Sequence, residues 1–253
     1  MVVNLRSCLS LVFLFFITSC VSSPEPVEKE VKNQLVIVLD KSASVTYNNK
    51  LEDIESELKR NFQEIYGKSR NHIMLSKFII SGDTRIFPEP ERFSIPCPNP
   101  NPESRSEVEA FQNWQVEKTK WISSQIKNTL NHIKKEPYSS STDVFSIFSG
   151  LEQVQRVDGP WDKIKVLIFS DMIHTVSGHN MKQGLTESNS LSRGREECRI
   201  LINNGTIKKG GLDNVYLTIY TPDNMPESGL ISTFWKGFFE EWGVAETQYH
   251  FEY

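Results

Sequence analysis

The stretch Leu35-Val36-Ile37-Val38-Leu39-Asp40-Lys41-Ser42-Ala43-Ser44 decides how the rest of the chain is read. Its first five residues are continuously apolar and rich in β-branched side chains. That is the pattern of a strand buried on both faces, as in a parallel sheet. An aspartate ends the run, and serines follow at every second position. Such oxygen donors suit a hard divalent cation, with the carboxylate giving charge, the hydroxyls giving neutral ligands and water completing the shell. The fragment predicts a buried strand opening into a metal-binding loop. Without a metal, Asp40 and Ser42 would serve as loop and helix caps.

Further strands lie on either side of a helical pattern. Ile73 to Ile80 (IMLSKFII), Lys165 to Asp171 (KVLIFSD) and Val215 to Tyr220 (VYLTIY) read as strands, and Tyr249 to Tyr253 as a final edge strand. Leu51, Ile54, Leu58, Phe62 and Ile65 recur at helical spacing. So do the apolar residues between Glu107 and Lys135, and again Phe145, Phe148, Leu151 and Val154. Short helices are expected over Glu196 to Ile202 and Ile231 to Trp242. This alternation predicts an α/β domain over residues 34–253, with an open, doubly wound, mostly parallel central sheet and helices on both faces. Ligands in that architecture bind beyond the carboxyl ends of strands, at a topological switch point. Asp40 and Asp171 both end strands.

Two segments break the pattern. Residues 81–106 carry Pro88, Pro90, Pro96, Pro98, Pro100 and Pro102, and are expected to form an extended excursion without regular structure. Met172 to Arg193 is polar and reads as a loop. Phe234, Trp235, Phe238, Phe239 and Trp242 cover more than one side of their helix, which predicts core packing with one exposed edge.

The N-terminus is set aside from the fold. Arg6 precedes the apolar run Leu9 to Ile17, which is shorter than the ~20 residues a membrane span needs. An export signal over residues 1–19 fits better. Ile17-Thr18-Ser19-Cys20 resembles the bacterial lipobox, which implies that Cys20 is lipidated and becomes the mature N-terminus. The resemblance implies a protein tied by lipid to the membrane of a bacterial cell envelope. Val21 and Ser22 after the cysteine favour the outer membrane. Residues 20–33 then read as a lipidated end and tether. Cys97 and Cys198 remain as an even pair in a compartment that permits disulfides, either bridged or unpaired.

Asp40-x-Ser42-x-Ser44 after its apolar strand resembles the metal-ion-dependent adhesion site of von Willebrand factor type A (VWA) domains. That motif has two further parts, and both have counterparts in order. Thr142 in Ser139-Ser140-Ser141-Thr142-Asp143 matches the threonine loop, and Asp171 in Leu167-Ile168-Phe169-Ser170-Asp171 matches the strand that ends in Ser-Asp-Gly. The resemblance extends over Gln34 to Tyr253 and implies a Rossmann-like VWA fold. It implies that Asp40, Ser42, Ser44, Thr142 and Asp171 surround Mg²⁺, or Mn²⁺ or Ca²⁺, and that a protein partner completes the shell with an Asp or Glu. Three positions depart from the pattern: Ala43, Ser140-Ser141 and Met172 stand where glycines are usual.

Other chemistries find less support. The net charge of -4 gives no electrostatic case for nucleic acid. A phosphatase of the haloacid-dehalogenase type needs a second aspartate two residues after the first, and Ser42 stands there. There is no G-x-S-x-G elbow, P-loop or dinucleotide fingerprint. His174 reads as a surface histidine, and His72, His132, His179 and His250 lack metal-ligand spacing. The functions left are a metal-dependent protein-binding module, which is not an enzyme, and a metal-free structural lipoprotein serving as a scaffold in an envelope complex.

Overall fold

A computed structural model describes residues 32–67, 69–70, 72–82, 91–135, 139–176, 179–210, 212–223, 225 and 228–252. Cys20 and the expected export signal lie outside the described residues. β1 (Asn33–Asp40) sits at the centre of a six-stranded sheet. On one side it pairs in parallel with β2 (Ile73–Ile80), and on the other with β4 (Lys163–Phe169). Beyond β4 come β7 (Val215–Tyr220) and the edge strand β8 (Tyr249–Glu252), both parallel. β3 (Glu91–Ile95) closes the other edge, antiparallel to β2. Two short strands, β5 (Thr175–Val176) and β6 (His179–Asn180), form a separate ribbon.

β1 alternates its apolar residues between two layers. Leu35, Ile37 and Leu39 face one layer with α1 (Leu51–Phe62) and α2 (Arg105–Lys134). Val36 and Val38 face the other, with α3 (Ser146–Asp158) and α5 (Ser228–Trp242). α4 (Ser190–Asn203) packs on α5. The chain is an α/β fold with a doubly wound, mostly parallel sheet, in agreement with the alternation of its sequence. Successive strands run outward from β1 toward β2 on one side and from β4 toward β8 on the other. The switch point therefore lies between β1 and β4.

Four local expectations change. The Pro-rich stretch is not wholly irregular, because Glu91–Ile95 forms β3. Phe93 and Ile95 alternate inward onto the α1–α2 layer while Glu91 and Arg92 stay exposed, and Pro96 stops the strand. α4 begins at Ser190, several residues before the expected start, inside the stretch read as loop. β4 stops at Phe169, so Asp171 follows the strand by two residues. The aromatic cluster on α5 has no exposed edge: Phe234, Trp235, Phe238, Phe239 and Trp242 are all buried. The side that would face solvent is covered by α4, whose backbone lies against α5. A Cβ on Gly194 would stand 1.9 Å from the Phe234 carbonyl oxygen, and one on Gly237 2.1 Å from that of Leu191.

Candidate metal centre

Asp40 is the last residue of β1, and Asp171 follows β4 by two, so both carboxylates sit at the switch point. Each begins a turn of the same kind. Asp40 Oδ1 accepts the amide of Ser42 at 2.8 Å, and Asp171 Oδ1 accepts that of Ile173 at 2.9 Å. A carboxylate that holds the amide two residues on folds the chain back without a regular hairpin. Ser44 also donates to Asp171, and its Oγ lies 3.1 Å from Ser42 Oγ. Thr142 Oγ1 donates to Asp40 Oδ1 at 3.3 Å. One network of hydrogen bonds therefore joins all five residues singled out from the sequence.

The loop bearing Thr142 is fixed by backbone bonds rather than by glycine. Ser42 and Ser139 form an isolated parallel bridge, with Ala43 N donating to the Ser139 carbonyl at 2.9 Å and Ser139 N to that of Lys41 at 3.3 Å. Ser139 Oγ donates to the Ser141 carbonyl at 2.7 Å and accepts the amide of Gly82 at 3.0 Å. Thr142 is clamped on its backbone. Its N–H donates to Thr175 Oγ1 at 3.0 Å, and its carbonyl accepts the Thr175 amide at 2.9 Å.

Met172, where the motif usually has glycine, adopts a left-handed φ of 57°. That conformation costs an L-residue about 1–2 kcal/mol. Both backbone groups of Met172 are satisfied: its N–H donates to Ser170 Oγ at 2.9 Å, and its carbonyl accepts Trp235 Nε1 at 2.9 Å. Its side chain is fully buried, which offsets the strain.

Sequence reasoning passed over Ser170, which belongs to the same network. Its hydroxyl donates to Asp40 Oδ2 at 2.6 Å. The signal was the serine immediately before Asp171. Lys41 was passed over too. It is buried, and its Nζ donates to the carbonyls of His132 and Lys135 at the end of α2, so its charge is spent on a helix terminus.

Asp40, Ser42, Thr142 and Asp171 are buried, and Ser44 is exposed, so the cluster opens to solvent on the Ser44 side. Burial, and then the negative charge of Asp171, push the Asp40 carboxyl up to about 6. Burial also raises Asp171. The Tyr47 phenol is held far above its ordinary range by burial and by both aspartates, and it donates to the Tyr220 carbonyl at 2.7 Å.

One expectation about a single residue is corrected, and of the two alternatives left open for Cys97 and Cys198 the structure has the one without a bridge. His174 is not a surface histidine. It is 7% exposed, its ring lies against Phe145 with centroids 4.5 Å apart, and its Nδ1 is 3.5 Å from Asp143 Oδ1. The chain turns inward after Asp171 and buries Met172, Ile173 and His174 in succession. No disulfide joins Cys97 to Cys198. Cys198 is buried among α3, α4 and α5, whereas Cys97 acts electrostatically on Lys118 in the opposite layer, and the sheet separates them.

Among the described residues, no group of three or more His, Cys, Asp or Glu is arranged to hold a metal. The cluster at the switch point has two carboxylates, with its other oxygens supplied by hydroxyls. No helix among the described residues is long and apolar enough to cross a membrane. No protein-family model matches the chain, and a search of curated proteins finds no match to it.

Proposed function

We propose that Asp40, Ser42, Ser44, Thr142 and Asp171 hold a divalent cation, Mg²⁺ or else Mn²⁺ or Ca²⁺, and that this cation takes an Asp or Glu side chain from a protein partner. In this reading the chain is a non-enzymatic, VWA-like binding module, carried on a bacterial cell envelope by lipid at Cys20, with the outer membrane favoured. One observation carries the proposal. Two buried carboxylates stand together at the switch point, close enough that Asp171 raises Asp40, and three hydroxyls complete the same network.

The donor set fits a hard cation. Two carboxylates and three hydroxyls are oxygen ligands, and a site with few charges leaves the ion electrophilic. The cation would supply positive charge where Asp40 and Asp171 supply negative charge. Without it, the aspartates repel an acidic side chain arriving on the open Ser44 side. With it, that side chain is attracted. Ser42 stands where a phosphatase would need its second aspartate, which favours binding over catalysis.

The test is calorimetric titration with Mg²⁺ and Mn²⁺ of the wild type, Asp40→Ala and Ser44→Ala, with folding checked by circular dichroism. The wild type should bind. Asp40→Ala should lose binding, and Ser44→Ala, altered at an exposed position, should weaken it. Equal binding by all three sinks the proposal.

The metal-free scaffold reading has its own support. Thr142 and Ser170 donate to Asp40, Ser44 donates to Asp171, and Ser42 and Ser44 pair, so these hydroxyls already have protein partners. Flat titrations with both metals would favour it.

A further inference from the structure

Thr142 is the most deeply buried of the five residues at the switch point, at 1% exposed. An amide at that depth needs a partner within the protein. The partner is Thr175 Oγ1, thirty-three residues further along the chain, at 3.0 Å. Thr175 also donates its own amide to the Thr142 carbonyl at 2.9 Å. One residue from a different segment therefore holds both backbone groups of Thr142.

The loop is fixed on either side of that contact. Upstream, Ser139 is bridged to Ser42. A Cβ on Gly82 would stand 1.4 Å from Ser141 Oγ, so Ser141 fills room that only a glycine opposite leaves open. Downstream, Asp143 Oδ1 accepts the amide of Ser146 at 3.2 Å where α3 begins. Thr175 is itself anchored. It pairs with Asn180 across the β5–β6 ribbon, and the next residue, the fully buried Met181, donates its amide to the His174 carbonyl at 3.1 Å.

Resting on the metal reading of the site, we propose that Thr175 is a positioning residue that fixes Thr142 and thereby gives the site a preference for Mg²⁺ over Ca²⁺. Mg²⁺ demands near-octahedral oxygens at about 2.0–2.1 Å, whereas Ca²⁺ takes about six to eight at about 2.3–2.6 Å in flexible geometry. A hydroxyl held in place serves the first ion, and a mobile one serves only the second. Thr142 Oγ1 donates its proton to Asp40 Oδ1 and keeps lone pairs for a cation, so any turn of the Thr142 backbone displaces a ligand. Ser140 and Ser141 stand in place of the usual glycines, which leaves the loop less freedom to readjust around a larger ion.

The test titrates Mg²⁺ and Ca²⁺ separately into the full chain by calorimetry, for the wild type, Thr175→Val, Thr175→Ala and Thr175→Ser. Valine keeps the shape and loses the acceptor, alanine loses both, and serine keeps the acceptor. Thermal melts establish that each variant folds. The wild type should prefer Mg²⁺. Valine and alanine should each weaken Mg²⁺ about tenfold while changing Ca²⁺ less than about twofold, and serine should restore Mg²⁺. A Thr175 that matters only for folding would weaken both ions alike or neither, and either result overturns the proposal. So does a serine variant that fails to recover Mg²⁺, or a wild type that prefers Ca²⁺. A wild type that binds neither ion overturns the metal reading and this proposal with it. Mg²⁺ binding that is equal in the wild type and the valine variant leaves the metal reading standing and removes Thr175 from it.

Discussion

The face of the sheet under α3 and α5 and the face under α1 and α2 exclude water by different means. On the first, aromatic rings fit against each other. Phe148 has Phe238 and Trp242 with centroids at 5.2 and 5.0 Å, Trp235 packs on Phe238 at 5.0 Å, and two glycines bring the α4 and α5 backbones together. On the second, lysines enter the interior. Lys118 donates to the carbonyls of Tyr66, Gly67 and Ser69 and lies over Trp114, Lys77 donates to Gln125 Oε1 at 2.9 Å over the Phe93 ring, and Lys41 holds the last carbonyls of α2. Burial pushes Lys77 down to about 8 and lowers Lys118 as well. Rings tolerate small slides, whereas a buried ammonium needs its oxygens in place. The aromatic face sets cohesion. The lysine face fixes α2 in one register, at points spread along its length.

The largest effect should come from the aromatic face. Phe238→Ala removes a ring at the centre of the cluster and should cost about 4 kcal/mol in urea unfolding, with the slope unchanged. A loss below about 1 kcal/mol would mean that this face does not depend on shape.

Asp40 lies at the seam between the two faces and comes second. Its carboxyl is raised when folded, so the proton stabilises the native state. That contribution is complete below the unfolded value of 3.8 and is lost as pH rises through about 6. In EDTA the protein should therefore be less stable at pH 7.5 than at pH 4, by up to about 3 kcal/mol from this group. Asp40→Asn should remove that part of the slope, and on the metal reading Mg²⁺ should restore stability at pH 7.5 in the wild type alone. Identical pH profiles for wild type and Asp40→Asn would contradict the raised Asp40 carboxyl, which burial sets first and Asp171 second.

The smallest effect belongs to the lysine face. Lys118→Met keeps the bulk but leaves three carbonyls without their donor, at a cost of about 2 kcal/mol. The loss should appear as faster hydrogen exchange over Tyr66 to Ser69 and the first half of α2. A neutral or stabilised variant would show that the ammonium's desolvation outweighs its bonds, and would bring the two faces closer in kind.

These differences mark what could be read in advance. β2 and β7 have the bounds their apolar runs suggest, because β2 is almost wholly buried and β7 alternates buried Val215, Leu217 and Ile219 with outward Tyr216 and Thr218. The convergence of Asp40, Thr142 and Asp171 was legible because all three lie where strands or loops reach the switch point. β3 was hidden because prolines around it read as a breaker, although the alternation of Phe93 and Ile95 was present. The lysine face was illegible for a deeper reason. Lysine reads as surface, and its acceptors here are mostly backbone carbonyls, which every residue carries. The inward turn of His174 was hidden too, since it depends on Met172 tolerating a left-handed backbone.

The direction of β1 has a mechanical consequence. Its N-terminal end receives the chain from Lys32, and its C-terminal end carries Asp40, roughly 25 Å further along an extended strand. A pull between anything holding the chain upstream and anything gripping Asp40 is transmitted along this one strand. The load path is then the covalent backbone of β1, and the parallel ladders to β2 and β4 on either side hold the strand in place while carrying little of the tension. The strand that presents the aspartate is thereby also the part of the sheet best placed to bear a tug on it.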